Sequence, residues 1–379
     1  MYKKFVMGIA AMAALTLVSC SSDDLDSFSG NSSKNEAISF DGYLGRSAVA
    51  VNGTRGSVAT VETLKDKGFG VFGYQNSSAT HSATESFVAN LFNNQKVTYD
   101  NTNSKWTYSP LKFWPSDGHI DFLAYAPYDV KNTTLTDGSK INNFTVSETI
   151  ADQTDLLWTN ATSQIKADIT KKKVNFQFHH ALSRLGYTVN LTGDYTHSNV
   201  TFTLKKITLA GSADETKNAF YKKGTIDLSK ANDAGDLWDT SSSSANEGKQ
   251  NFPWFSAGAQ PVNITYVNPT DHTKKPVSNG TDYLFVIPQN FDTGSDELYV
   301  IVQYTIDYTD GTTPSVTNTV YKQIKKDFKQ GKAYMLNLTL GLPIEFDVDV
   351  TGGVNAGVDG WGTDEGINIG SNDTPWERK

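Results

Sequence analysis

Tyr334, Leu336, Leu338, Leu340 and Leu342 recur at every second position, with Asn337, Thr339 and Gly341 between them. Successive side chains of a strand point to opposite faces, so this ladder predicts a strand with one side on a core and the other toward water. The same period returns along the chain. Val174, Phe176 and Phe178 alternate with Asn175, Gln177 and His179, and Leu298, Val300, Val302, Tyr304 and Ile306 form a longer run. Ile120, Phe122 and Ala124 alternate with Asp121, Leu123 and Tyr125. Turn chemistry separates such runs at Asp117-Gly118, Asn279-Gly280 and Asp310-Gly311. Helical signals are confined to Val61–Lys67 and Ala181–Leu185. The expectation is an all-β chain of antiparallel β-sandwiches.

With 379 residues, the chain is long enough for two domains of roughly 150 residues each. A boundary is expected near residues 186–198, giving domains at 38–190 and 191–379, with the Ser-rich stretch Asp236–Asn251 an exposed loop of the second. The 33 basic and 41 acidic side chains leave a charge of −8, which argues against a nucleic-acid partner. A single cysteine excludes an intramolecular disulfide and a Cys-based zinc site.

That cysteine stands at a telling place. Lys3 and Lys4 precede an apolar run from Phe5 to Val18 that ends in Leu17-Val18-Ser19-Cys20. The run is shorter than the roughly 20 residues of a membrane-spanning helix. It reads as a signal peptide over residues 1–19, and its end resembles the lipobox of bacterial lipoproteins, in which the cysteine is lipidated; Cys20 is the lipid-attachment candidate. Residues 20–37 are polar and read as a flexible tether. Ser21-Ser22-Asp23-Asp24 resembles a surface-export signal and equally suits a solvated linker.

Motifs that would imply catalysis do not hold. Gly68-Phe-Gly70-Val-Phe-Gly73 matches a dinucleotide fingerprint in spelling, but its apolar β-branched and aromatic filling predicts a glycine-bearing strand packed closely on a neighbour. Asp347-Val-Asp349 opens like a calcium loop whose twelfth position is Val358 instead of a glutamate. His179-His180 lacks metalloprotease spacing, and adjacent strand residues face opposite ways. Trp106, Tyr108, Phe113, Trp114 and Trp254 are candidates for sugar stacking, with core anchoring the stronger reading. No enzyme activity, catalytic residue, cofactor or metal site is expected.

Several segments carry a family resemblance in their order and spacing. They are Ile38-Ser-Phe40, Thr54-Arg55-Gly56, Gly68 to Tyr74, Trp106 to Pro115, Ile120 to Pro127, Phe176 to Leu185, Val286-Ile-Pro288 and Gly331 to Tyr334 with the ladder after it. Together they resemble the fimbrillin family of Bacteroidales, subunits of type V pili and related Mfa-like surface lipoproteins. The resemblance implies two tandem transthyretin-like sandwiches, lipid-anchored export to the outer membrane, and cleavage by an Arg-specific protease. Arg55 best matches the cleavage position and Arg46 rivals it. Cleavage would release the first strand, Ala37 to Leu44, and open a groove for the terminal strand of another subunit. The candidate donor is the alternating set Ile344, Phe346, Val348 and Val350. The Gly/Asp-rich tail from Gly352 departs from a simple stalk subunit, leaving stalk, base and tip positions open. The alternative is a non-polymerising surface lipoprotein or tip adhesin that binds glycans or host proteins.

Overall fold

The structure is a computed structural model that describes residues 36–44, 58–82, 84–128, 134–137, 139–166, 173–231, 237–243, 245–268, 270, 274–341, 365–369 and 376–378. In chain order the first half carries β1 (Ser39–Leu44), α1 (Val61–Lys67), β2 (Phe69–Asn76), β3 (Phe92–Asp100), β4 (Lys105–Thr107), β5 (His119–Ala126), β6 (Thr134–Asp137), β7 (Lys140–Thr145), β8 (Leu157–Gln164) and β9 (Lys173–His180). Then follow β10 (Ser183–Leu191), β11 (Val200–Ala210), β12 (Phe220–Tyr221), β13 (Lys223–Asp227), β14 (Trp238–Asp239), β15 (Lys249–Gln250), β16 (Phe252–Ser256), β17 (Val262–Ile264) and β18 (Val277–Ser278). The last are β19 (Leu284–Val286), β20 (Gln289–Asn290), β21 (Tyr299–Tyr308), β22 (Val316–Gln323), β23 (Asp327–Phe328), β24 (Ala333–Leu340), β25 (Glu365–Ile369) and β26 (Glu377–Arg378).

Strands dominate because the alternating runs each find a core face. A seven-stranded sheet takes the order β1-β9-β8-β5-β2-β3-β4. A second sheet runs β18-β10-β24-β25 with β19 also on β10, and a third runs β16-β11-β21-β22-β26 with β17 also on β11. The all-β expectation holds. Three pairs, β1–β9, β10–β24 and β24–β25, are nonetheless parallel. The alternation pattern does not reveal this, because apolar spacing says which face is buried and nothing of strand direction. Parallel neighbours need a long crossover instead of a tight turn, and these pairs join segments far apart in the chain.

Two cores follow from the two faces of the first sheet. Ile120, Phe122 and Ala124 of β5 join Phe69, Val71, Val174, Phe176 and Phe178 in one cluster. Leu123 and Tyr125, on the opposite face, join Phe72, Tyr74 and the second-half residues from Leu182 to Trp376 in the other. All of β5 is therefore buried, where the sequence suggested one solvated face.

The predicted helix at Val61–Lys67 is present, capped by Thr60 and Thr63 bonding each other's backbone N–H groups. The helical turn expected at Ala181–Leu185 is absent: strand β10 begins at Ser183 and pairs with β19 and β24. Sheet membership thus changes at residues 181–182, so the expected boundary at 190 falls at the far end of β10. The halves also share a sheet, of order β14-β13-β7-β6. The segment read as an exposed Ser-rich loop instead carries β14 and β15, with Leu237, Lys249 and Gln250 buried.

Candidate functional site

The first described strand is an edge whose side chains are core. In β1 the period of two sends Phe40 and Leu44 inward, and Ile38 just before the strand is also buried, while Tyr43 faces water and bonds Gln177 Oε1 at 3.0 Å. Phe40 sits among five rings: Phe69, Phe92, Tyr108, Phe122 and Phe176, with centroids 6.5, 5.5, 5.4, 5.5 and 5.5 Å away. At Gly42 an added Cβ would lie 3.2 Å from the Phe69 ring, so glycine lets the strand settle onto that ring.

Hydrogen bonding to β1 is lopsided. One flank runs in parallel register with β9 from Ser39–Lys173 to Leu44–Phe178. On the other, Ile38 N donates to Lys112 O at 2.8 Å, Trp114 N to Glu36 O at 3.0 Å and Tyr108 Oη to Ile38 O at 2.7 Å, all near the strand's start. Burial raises the Tyr108 phenol above its ordinary 10.0, with the Lys112 N–H bond pulling the other way. Taking β1 away would leave a trough floored by Phe69, Phe92, Phe122 and Phe176 and one unpaired edge of β9, which is the combination that a donated strand satisfies.

The C-terminal segment is also seated at sheet edges. β25 lies parallel on β24, from Tyr334–Glu365 to Leu338–Ile369, and β26 pairs antiparallel with β22. Ile369 and Trp376 are buried, and Trp376 Nε1 donates to Thr339 O at 2.7 Å. Sequence reading ended the confident strands before this tail. The alternation of Ile367 and Ile369 is a short signal, too brief to stand out in a Gly/Asp-rich stretch.

Cys20, Arg46, Arg55 and the donor set Ile344, Phe346, Val348 and Val350 lie outside the described residues, as does the calcium-like Asp347 segment. Of the five stacking candidates, Trp106, Trp114 and Trp254 are buried and Tyr108 closes over β1, which leaves Phe113 exposed. The three tryptophans and Tyr108 are thus core and seam residues. The Gly68–Gly73 stretch is the predicted close-packed strand: an added Cβ would come 2.4 Å from Tyr125 at Gly70 and 2.5 Å from Phe92 at Gly73. His179 and His180 do face apart. The His180 ring meets Asp155 Oδ1 at 3.0 Å, and that of His179 tilts against Trp158.

A family model described as Fimbrillin-like matches residues 54–361. The chain belongs to the fimbrillin-like family. Fimbrium subunit Fim1C of Phocaeicola vulgatus is 27% identical over 395 residues, covering 95% of this chain and 97% of that protein. A crystal structure of a fimbrial protein from Bacteroides vulgatus shares the fold, with a TM-score of 0.60 and 22% identity over 80% of this chain and 95% of that one. As a fimbrillin-like chain it falls among structural fimbrial subunits.

Proposed function

We propose that this chain is a fimbrial subunit of the cell surface that joins other pilus subunits by strand exchange. The observation that carries the reading is β1: an edge strand whose Phe40 fills an aromatic nest, followed in the chain by Arg46 and Arg55. Cutting after either arginine frees β1 from everything but noncovalent contacts. The vacated trough then accepts an incoming strand through backbone pairing and side-chain knobs. A strand of about ten residues buries on the order of 1,000 Å², enough for a durable joint. Groove and donor sit at different places on one subunit, so the contact is heterologous and propagates as a filament. The donor comes from the chain after β24, either Ile344–Val350 or the segment of β25.

The remaining parts of the reading follow the order of the chain. Residues 1–19 direct export, Cys20 carries the lipid that holds the precursor in the outer membrane, and an Arg-specific protease starts assembly. The bulk of the chain forms two tandem transthyretin-like sandwiches.

The test is to treat the full chain with an Arg-specific protease, sequence the new N-terminus and follow assembly by SDS electrophoresis without heating. A start at Ser47 or Gly56 followed by a ladder of SDS-resistant oligomers is expected. A trimmed chain that stays monomeric and is indifferent to added C-terminal peptide would overturn strand exchange and favour a non-polymerising adhesin.

A further inference from the structure

On the β5 face that also carries Leu123 and Tyr125, opposite the core that holds β1, four ligand-type atoms converge from two separate segments. His81 and Glu85 come from the connection between β2 and β3, and His119 and Asp121 from β5. The strand period places His119 and Asp121 on the same face, two residues apart, and both are buried. His81 Nδ1 lies 2.8 Å from Asp121 Oδ2 and 3.3 Å from Glu85 Oε2. His119 Nε2 lies 3.2 Å from Asp121 Oδ2 and 3.7 Å from Glu85 Oε2. All four atoms fall within 4.8 Å of one another. The edge of a tetrahedron around an ion with bonds of about 2.0 Å is ~3.3 Å.

The surrounding bonds aim these atoms inward. His119 Nδ1 meets the carbonyl of Ser78 at 2.7 Å, and a carbonyl only accepts, so this nitrogen holds the proton. With Nδ1 engaged there, Nε2 faces Asp121 Oδ2 and Glu85 Oε2 across one space. Asp121 Oδ1 accepts from Ser163 N at 2.7 Å, and Glu85 Oε1 accepts from Asn76 Nδ2 at 2.6 Å and Ser78 Oγ at 3.0 Å. Asp121 therefore has one oxygen tied down and presents the other, while Glu85 Oε2 faces the cluster with a bond from Ser82 N at 2.9 Å that uses one of its lone pairs. A bulge in β8 opposite Ile120–Phe122, with Ser163 at φ 56°, turns Ser163 so that its Oγ also receives His81 N at 2.8 Å. The two imidazoles stand nearly perpendicular, at 85°, and His81 stacks on Phe87. Histidines oriented by a second partner, with tethered carboxylates, are the usual surroundings of a metal ligand set.

We propose that His81 Nδ1, Glu85 Oε2, His119 Nε2 and Asp121 Oδ2 bind one divalent transition-metal ion of the zinc class and pin the β2–β3 connection to the sheet. Two nitrogen and two carboxylate ligands in a four-coordinate shell suit Zn²⁺ better than Ca²⁺ or Mg²⁺, which take six or more oxygens. His81 and Glu85 are about one-fifth exposed, so the ion has a way in. The site owes nothing to strand exchange.

The experiment is to strip the full chain, carried on a histidine-free tag, with a chelator and titrate it with zinc by calorimetry. One equivalent is expected to bind and to raise the melting temperature, and cobalt(II) should give the intense visible absorption of a tetrahedral complex. Glu85→Gln and His81→Ala, on the more exposed side, should abolish that binding while leaving the metal-free circular dichroism unchanged. Asn76→Ala, which removes one of the two bonds to the second Glu85 oxygen, should weaken it by about 10- to 100-fold. No zinc uptake by the unmodified chain overturns the proposal and leaves a proton-bridged cluster. Undiminished uptake by Glu85→Gln and His81→Ala, or a weak octahedral cobalt spectrum, overturns it as well.

Discussion

Phe40 is buried with five rings around it, so truncating it would open a cavity among them. Phe40→Ala is expected to cost about 3–5 kcal/mol, read as a lower denaturant midpoint at unchanged slope. Tyr43, on the outer side of the same strand, should tolerate Tyr43→Ser within about 0.5 kcal/mol. A change of equal size for both would deny Phe40 its special place. Turn residues make a second residue-scale case. Asp310 accepts from the Thr313 hydroxyl at 2.6 Å and from the backbone of Thr313 and Thr312, holding its carboxyl down to about 2. A carboxyl depressed in the fold stabilises above its ordinary range, and that contribution fades as pH falls through about 2. In Thr313→Val the Asp310 midpoint, followed by carboxyl NMR, should climb toward 3.8; an unmoved midpoint would remove the hydroxyl as the main cause.

Strands were the most legible elements. The ladders at Val174–Phe178, Val300–Ile306 and Tyr334–Leu340 all fall in strands with the named apolar residues buried, and Leu298 is buried just before its strand. The three Asp-Gly and Asn-Gly turns place Gly118, Gly280 and Gly311 at positive φ, which local chemistry dictates. What stayed hidden is what depends on the partner. The parallel direction of β1 on β9 is one such property, the seat of β25 another, and the gathering of His81 and Glu85 with His119 and Asp121 a third. Each depends on which distant segments become neighbours. One element-scale prediction follows from the seam over β1. Burial raises Tyr108, so its neutral form favours the closed fold. That contribution is full below 10.0 and is lost as pH rises through the raised value. Deleting β1 should return the Tyr108 ionisation toward 10.0, seen as the difference between tyrosinate titrations of the deleted chain with Tyr108 and with Tyr108→Phe. No downward shift would mean that β1 does not shield the phenol.

Across the molecule, the cluster that holds Leu123, Tyr125 and Trp158 also holds Leu185, Val302 and Leu336. The β6–β7 hairpin further ties the halves by pairing with β13. Ile141 and Phe144 are buried in that pairing. We expect calorimetric unfolding in one transition, and Phe144→Ala should loosen amide protection in β10 and β11 as well as in its own hairpin. Two resolved melts, or protection lost only around β7, would show halves that stand independently. Strand spacing in the sequence reports elements and not the surfaces they share.

The parallel seat of β25 on β24 constrains the link between them. β24 ends at Leu340, and β25 begins at Glu365 beside Tyr334, at the starting end of β24, which a tight turn cannot join. The sequence supplies 24 residues for the link. Their contour length is at most about 80 Å, against roughly 26 Å for the strand they must retrace. In the proposed strand exchange, a β25 from a second copy would need the same β24 backbone groups that the chain's own β25 occupies, so the two seats compete and protein concentration sets the balance.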